Sequence, residues 1–363
     1  MAWDLDASLK RALVRQNWIF GDRYFRIGNP FIWVDGPLAL SSFDFCGVVD
    51  LAQWYSGYYE EYPTPTSLKD SSYDLEYGIL EEKYKEIFQA YFPFIDIKDT
   101  KVSLNIRCHA LARIQDFCML KKFASDLLNR SSDSKVRHLD FGAGLGGNST
   151  YSLFLLDAFY TAIEAHQWSY DIQRMFFRQL VNRNGTYLDV LAAESMEITN
   201  EKIREMISSK DFSIKQVPSW YFGDVPSASH DLVTATTVLN ELNSAGIVHM
   251  LSQSSRVLRV GGYLYIRDSA KLKPGRHNVN YDKVLTEHLG FELVHWLDVK
   301  NRVDMFAIPR LYRKVRNVEK DFDVLFDLLF GKEAVTSHGG IYVQNLKNKK
   351  SRPKRNDIHN SPS

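Results

Sequence analysis

A glycine-rich turn in the middle of the chain is the segment best suited to chemistry. Residues 138–148 read HLDFGAGLGGN, in which an apolar run leads into Gly142, Gly144 and Gly147 and a helical pattern follows. Glycine lets the backbone bend sharply and approach a ligand closely, and the first N–H groups of the following helix can bind that ligand. The spacing also fits, loosely, the G-x-G-x-x-G pattern of dinucleotide-binding turns. The segment therefore predicts a ligand-binding turn between a strand and a helix.

Asp140 indicates which class of ligand could bind at this turn. It lies just before Gly142, at the end of the predicted strand. Nicotinamide and flavin sites usually have apolar residues there, because a carboxylate repels an anionic pyrophosphate. A carboxylate at this position favours a ligand that carries a cationic group. The alternative is a Rossmann-like turn that binds a nucleotide or has lost its ligand.

The elements that must position this turn alternate along residues 135–313. Runs rich in β-branched and aromatic residues predict strands at 136–141, 160–164, 220–222, 231–239, 263–267, 292–298 and 304–309. Helical patterns predict helices at 149–159, 169–181, 200–208 and 281–289, and another that follows residue 239 and ends at Gly261. Such alternation is typical of a parallel sheet flanked by helices. We therefore predict an α/β fold with a Rossmann-like, doubly wound and mostly parallel sheet.

Three flanking regions differ in composition from this domain. Residues 1–134 predict a mainly helical, aromatic-rich extension with helices at 74–91 and 105–129, and its aromatic side chains suit a cover over an acceptor pocket. Packing in a core is the alternative role for most of those aromatics. Residues 314–346 predict a helical extension built on an amphipathic helix at 318–330. Residues 347–363 carry six Lys and Arg against one Asp and predict a disordered basic tail.

Composition and charge exclude several classes of protein. The 363 residues include 45 Lys and Arg and 44 Asp and Glu, and the net charge of +1 argues against a strongly basic nucleic-acid scaffold. The sequence has no apolar run long enough to span a membrane, and acids stand near the start where a targeting signal has basic or apolar residues. Three cysteines without CxxC spacing argue against a disulfide framework and a zinc site. We expect a cytoplasmic protein with no membrane partner.

Five motifs, in order along residues 135–313, resemble those of class I S-adenosylmethionine-dependent methyltransferases, a family with a seven-stranded sheet. The turn at Asp140 resembles the first motif, and Glu164 lies where the family has the acid that binds both ribose hydroxyls. Residues 222–224 resemble the end of the third strand, where an acid meets adenine. Residues 230–242 resemble the fourth strand, and residues 256–266 resemble the helix, turn and fifth strand.

This resemblance implies S-adenosyl-L-methionine as the cofactor. It implies cofactor contacts at Asp140, Gly142, Ala143, Gly144, Gly146, Glu164, Ala165, Asp224 and Thr236. The segment before the predicted third strand is longer than the family minimum, so Gln173 and Glu194 are alternatives to Asp224.

Side chains at predicted strand ends are the candidates for catalysis. Methyl transfer needs positioning and exclusion of water, and a hydroxyl acceptor also needs a base or a metal that removes its proton. The candidates are Asn240, Glu241, Asp268 and His277. Each has a structural alternative: Asn240 and Glu241 suit the start of a helix, Asp268 suits a surface ion pair, and His277 lies in a loop. No resident metal is predicted, although Glu241 and Asp268 together could hold a divalent cation.

Three functions compete at this stage. The first is methylation of a small-molecule acceptor, on a hydroxyl of a sugar or secondary metabolite. The second is methylation of RNA or protein, but the chain has no aromatic-basic RNA-binding motif and its folded part is near neutral. The third is a non-catalytic cofactor-binding assembly protein that docks through its C-terminal helix, which could also join two copies in a homodimer. We predict the first.

Overall fold

An eight-stranded sheet forms the centre of the computed structural model, which describes residues 74–91, 96–98, 100–129, 135–165, 167–181, 185–196, 198–236, 238–239, 242, 244–269, 281–296 and 307–330. The strands are β1 (Arg137–Phe141), β2 (Phe159–Glu164), β3 (Tyr187–Asp189), β4 (Ile214–Pro218), β5 (His230–Thr236), β6 (Leu258–Ser269), β7 (Phe291–Trp296) and β8 (Ala307–Lys314). Their order across the sheet is β3-β4-β2-β1-β5-β6-β8-β7. β8 runs antiparallel to β6 and β7, and the other pairs are parallel.

This strand order places a crevice at the carboxyl ends of β1 and β5. β1 pairs with β2 on one side and with β5 on the other, so the winding of the chain reverses at β1. Ligands of doubly wound sheets bind at such a reversal. The predicted fold class, a doubly wound and mostly parallel α/β sheet, is confirmed. The sheet has eight strands rather than the predicted seven, because the short edge strand β3 is added beside β4.

Helices cover both faces of the sheet. They are α1 (Asp74–Tyr91), α2 (Thr100–Phe123), α3 (Ser125–Leu128), α4 (Asn148–Phe154), α5 (Gln167–Val181), α6 (Val190–Ser195), α7 (Asn200–Ser208), α8 (Ser244–Val257), α9 (Tyr281–Lys283) and α10 (Phe322–Phe330). α9 continues as a π-helical turn, Val284–His288. In the ranges given above, no helix combines the length and the apolar character that crossing a membrane requires.

Two apolar clusters fill the spaces between the sheet and the helices, one on each face. The first joins Leu139 and Val233 of the sheet to α7, α8 and α10. The second joins Tyr160 and Tyr265 to α1, α2, α4 and α5. Successive side chains of a strand point to opposite faces, which is why one strand supplies both clusters. α1 and α2, which precede the first strand, therefore form part of a layer on the sheet, whereas residues 1–73 lie outside the described ranges.

The main difference from the predicted elements lies before β5. The sequence predicted a strand at 220–222, but these residues belong to a 3-10 helix, Ser219–Asp224, and the strand is β4, which ends at Pro218. β4 is difficult to predict from the sequence because Lys215 and Gln216 interrupt its apolar run. Both side chains donate to backbone carbonyls, of α7 and of α5. A buried strand can carry polar side chains when these have such partners.

Other predicted elements agree closely with the structure. The helices predicted at 74–91 and 200–208 have those bounds as α1 and α7. Gly261 was predicted to end a helix, and its φ of +84° is indeed left-handed, but it lies within β6. The reason is that β6 begins directly after α8. The helix predicted at 318–330 begins four residues later, as α10.

Candidate functional site

The glycine turn begins where β1 ends. Gly142, Gly144 and Gly146 have φ angles of +64°, +55° and +80°, a region that residues with a Cβ rarely adopt. The N–H groups of Gly142 and Ala143 donate to the carbonyl oxygen of Ile163 at 2.9 and 3.3 Å. The turn is thus tied to β2, and its backbone conformation favours glycine at three positions.

The three glycines face different surroundings. A Cβ on Gly142 would overlap the side chain of Val238, and a Cβ on Gly146 would lie 2.7 Å from the ring of Phe177. A Cβ on Gly144 would meet no atom of the described residues within 4 Å. Gly142 and Gly146 are therefore packed against the protein, whereas Gly144 borders open space. That open side is where a ligand could lie against the backbone of the turn.

The carboxylate of Glu164, at the end of β2, reaches this turn. Its Oε2 accepts from the N–H of Gly144 at 2.8 Å, and its Oε1 accepts from the N–H of Ala165 at 2.8 Å. The amide Nε2 of Gln173, on α5, donates to the carbonyl oxygen of Gly144 and, at 3.3 Å, to Oε2 of Glu164. The structure therefore brings together four residues that the sequence proposed for the cofactor.

The resemblance implied that Asp140 contacts the cofactor, but its side chain lies in the core beneath the turn. Its side chain is 0% exposed, and all of its hydrogen bonds are internal. Oδ1 accepts from Thr234 Oγ1 at 2.6 Å and from Asn148 Nδ2 at 3.1 Å, and Oδ2 accepts from the hydroxyl of Tyr160 at 2.7 Å. Burial raises the pKa of this carboxyl, and these three donors oppose that rise. Asp140 thus ties β1, β2, β5 and the start of α4 together beneath the turn.

Asn148 links this buried network to the crevice. Its Nδ2 lies 3.4 Å from Oγ1 of Thr236, the last residue of β5, as well as near Asp140. Sequence reasoning included Thr236 in the site but omitted Asn148. The available signal was its place as the first residue of a helix directly after the glycine turn, where side chains lie close to a ligand.

His138 extends the network on the same face of β1 as Asp140. Its Nε2 lies 2.7 Å from Thr234 Oγ1, and its Nδ1 lies 3.0 Å from Ser152 Oγ. Because Thr234 donates its hydroxyl hydrogen to Asp140, it accepts from His138, so the ring carries its proton on Nε2. Burial lowers the pKa of His138 to about 3, and the ring is neutral in the folded protein at neutral pH.

Acidification is expected to destabilise the fold through His138 and His230. Burial, the first cause, lowers the pKa of each to about 3 from 6.5. Below pH 6.5 the unfolded chain therefore binds protons that the folded chain excludes, so stability falls as pH falls towards 3. The expected loss is up to about 2.7 kcal/mol per pH unit for the two histidines together. Urea unfolding at pH 7.0, 6.0 and 5.0 would measure it.

The control for this experiment is His288→Gln, which removes a partly exposed histidine beside Glu287. Its pH dependence should match that of the wild type, whereas His138→Gln should make the dependence shallower and leave the part that comes from His230. An unfolding free energy that stays constant between pH 7 and pH 5 would contradict the burial of neutral histidines.

Support for the turn comes from the helices that precede β1, which sequence reasoning treated as a cover over the acceptor. The hydroxyl of Tyr84, on α1, is buried and donates to the carbonyl oxygen of Gly147 at 3.0 Å. A Cβ on Gly147 would lie 2.7 Å from the guanidinium of Arg113, on α2. No local pattern could reveal the contact of Tyr84, because 63 residues separate the partners.

Asp224 has its described ion-pair partner on α7 and not in the turn. Asp224 forms an ion pair with Arg204 of α7 at 2.8 Å. Arg256, at the end of α8, donates to the carbonyl oxygens of Phe222 and Val225 on either side of Asp224. Asp224 is the last residue of the 3-10 helix that follows β4, and Glu194 lies in α6, which directly follows the edge strand β3 in the chain. A contact of either residue with the cofactor stays a prediction.

The candidates for catalysis fall mostly outside the described residues. Asn240, Glu241 and His277 are among the residues outside, and Asp268 is described only as a backbone position of β6 that pairs with Ile308. In the part of the chain that is described, no group of three or more His, Cys, Asp and Glu residues could hold a metal ion.

Comparisons with known proteins find likeness at the level of structure only. No protein-family model and no curated protein matches the chain. It is similar to a solved structure from Galdieria sulphuraria assigned as a sarcosine dimethylglycine methyltransferase, with 11% identity, 64% of this chain and 98% of that chain covered, and a TM-score of 0.38. It is also similar to geranyl diphosphate C-methyltransferase from Streptomyces coelicolor A3(2), with 10% identity, coverage of 61% and 86%, and a TM-score of 0.38.

A third solved structure, the [4+2]-cyclase SpnF, has 14% identity, coverage of 61% and 85%, and a TM-score of 0.37. Likeness at this level does not transfer a reaction from one protein to another. The ligand and the chemistry of this chain must therefore be argued from its own glycine turn and the residues around it.

Proposed function

We propose that this protein is a class I S-adenosylmethionine-dependent methyltransferase that acts on a small molecule. The observation that carries the proposal is the contact between Glu164 and the glycine turn, 2.8 Å from Oε2 to the N–H of Gly144. In this crevice the backbone of the glycine turn can bind one part of an elongated ligand, and the carboxylate of Glu164 can accept hydrogen bonds from two neighbouring hydroxyls of another part. The resemblance of the sequence motifs implies the same pairing.

The residues of the crevice suit S-adenosyl-L-methionine. The backbone at Gly144 borders open space, so the methionine part of the cofactor can lie against it. The oxygens of Glu164 accept hydrogen bonds from two backbone N–H groups. Ribose hydroxyls are also hydrogen-bond donors, so they can replace those N–H groups at the carboxylate. The carboxylate of Asp140 is buried beneath the turn, where its charge favours a cationic ligand through space rather than by contact.

The proposed reaction is transfer of a methyl group to a hydroxyl of a sugar or secondary metabolite. Bound S-adenosyl-L-methionine supplies an electrophilic methyl group on a sulfonium. The chain itself must hold that group in line with the acceptor oxygen and exclude water. It must also take the proton of the acceptor hydroxyl. The residues that we propose for binding the acceptor or taking this proton are Asn240, Glu241, Asp268 and His277.

Replacement of Glu164 by alanine is expected to weaken binding of S-adenosyl-L-methionine by about 1.5–3 kcal/mol, which is roughly 10- to 150-fold. The reason is that two hydroxyl donors of the ribose lose a charged acceptor. Isothermal titration of the purified variant with the cofactor would measure the change.

Glu205→Ala is the matched control, because Glu205 pairs with Lys202 on the exposed side of α7. It removes the same charge and should leave the affinity unchanged. Wild-type affinity in Glu164→Ala, with both variants folded by circular dichroism, would contradict the proposal. The acceptor itself would be sought by incubating metabolite pools with cofactor that carries a labelled methyl group.

A further inference from the structure

A second pocket lies at the edge of the sheet opposite to the glycine turn. The first residues of three parallel strands line it, namely Arg137 of β1, Phe159 of β2 and His230 of β5, and Lys215 of β4 lies beside them. The carboxyl-terminal end of α7 and the residues after it, up to Phe212, complete the lining. Part of the pocket is open to solvent. The cofactor crevice lies at the other ends of these strands, so this pocket is separate from it.

The charges that line the pocket are unbalanced. Arg137, Lys210 and Lys215 bring cations to it. None of the three forms an ion pair with a described residue, although basic residues close by do so, as Lys135 does with Asp157 and Arg259 with Asp231.

Burial, followed by repulsion from Arg137, lowers the pKa of Lys215 to about 8, and attraction to the carboxylate of Asp211 opposes this. Two positive charges close together at a half-buried site repel each other, and a bound anion would offset this repulsion.

Hydrogen-bond donors accompany the charges. The ammonium of Lys215 donates one hydrogen to the carbonyl oxygen of Ile207 at 2.6 Å, which leaves two others. The hydroxyls of Ser229 and Thr161 lie 2.8 and 3.3 Å from the ring nitrogens of His230, and Ser229 donates its hydrogen to the carbonyl oxygen of Pro226. These hydroxyls are thus engaged within the protein, and the donors that remain for a ligand are those of the cationic side chains. A tetrahedral oxyanion accepts several hydrogen bonds at once, and a guanidinium can give it two in parallel.

We propose that this pocket binds a phosphate group, with Arg137 and Lys215 as its principal cationic contacts. The site would serve a phosphorylated small molecule or free phosphate, and it is independent of the proposed methyl transfer because no residue of the glycine turn takes part.

The proposal is tested by isothermal titration of the full chain with inorganic phosphate at pH 7.0, in chloride buffer of constant ionic strength. Saturable binding is expected, and Arg137→Gln should weaken it at least tenfold. Lys215→Met should do the same, and because Lys215 also contacts the end of α7, Arg137→Gln keeps the test valid if Lys215→Met unfolds. Lys135→Gln is the matched control, since it removes one positive charge at the same edge and should change the affinity less than twofold.

Titration with methyl phosphate distinguishes the two sources of the phosphate group. Binding at least as tight as that of inorganic phosphate supports a phosphate monoester as the ligand, and much weaker binding supports the free ion. No saturable binding of either anion, or equal binding by wild type and Arg137→Gln, would overturn the proposal. Binding of a single-stranded RNA in the absence of any binding of the small anions would overturn it as well.

Discussion

Valine at position 144 is expected to abolish detectable binding of S-adenosyl-L-methionine, a loss of more than about 100-fold, while the sheet stays folded. Gly144 is the glycine of the turn whose Cβ would meet no atom within 4 Å in the part of the chain that the structure describes. A valine side chain would therefore project into the space proposed for the ligand. Its φ of +55° adds strain of about 1–2 kcal/mol, which a stable domain can tolerate. Isothermal titration with the cofactor would measure the loss.

Gly261→Val separates the two effects of this substitution. Gly261 also has a left-handed φ, +84°, and also borders open space, but it lies near the start of β6, far from the turn. It should cost similar stability and leave cofactor binding intact. If Gly144→Val binds the cofactor as the wild type does, the open side of the turn is not the ligand site, and the proposed function fails with it.

Replacement of Asp140 by alanine is expected to lower the free energy of unfolding by about 3–5 kcal/mol. The substitution removes a buried acceptor from three donors, on Thr234, Tyr160 and Asn148, and none of them can reach water without opening the core. The resemblance of the sequence implied a contact of this carboxylate with the cofactor, whereas its three buried hydrogen bonds give it a role in stability. Urea unfolding followed by circular dichroism would measure the change in stability.

Glu205→Ala is the control for this measurement as well. Glu205 is exposed and pairs with Lys202 on the surface of α7, so its removal should change the stability by less than about 1 kcal/mol. A loss of less than about 1 kcal/mol in Asp140→Ala as well would show that the three donors do not depend on this carboxylate.

The sequence predicted the parts of the site that depend on local pattern. A strand that runs into a glycine turn and a strand that ends in an acid are both short-range signals, and they located Gly144 and Glu164 correctly relative to one another. The helix at Asp74–Tyr91 was also predictable, since its pattern extends over several turns.

The sequence failed where long-range contacts decide the structure. Asp224 was proposed as an adenine contact on the assumption that the third parallel strand ends at residue 222. The actual strand, β4, carries Gln216, whose side chain donates to the carbonyl oxygen of Tyr170, 46 positions earlier. A polar residue without that partner would be excluded from a core, so no reading of the strand by itself could identify it. The same holds for Tyr84 beneath the turn.

The buried bonds of Asp140 also set an order of events during synthesis. Tyr160 follows this carboxylate by 20 residues, but Thr234 follows it by 94. A ribosome that has released β1 and β2 must therefore also release β3, β4 and most of β5 before the last donor arrives. Until then β1, the middle strand, has one unpaired edge. The nascent protein completes its centre late, and its early intermediates expose a strand that other chains or chaperones can bind.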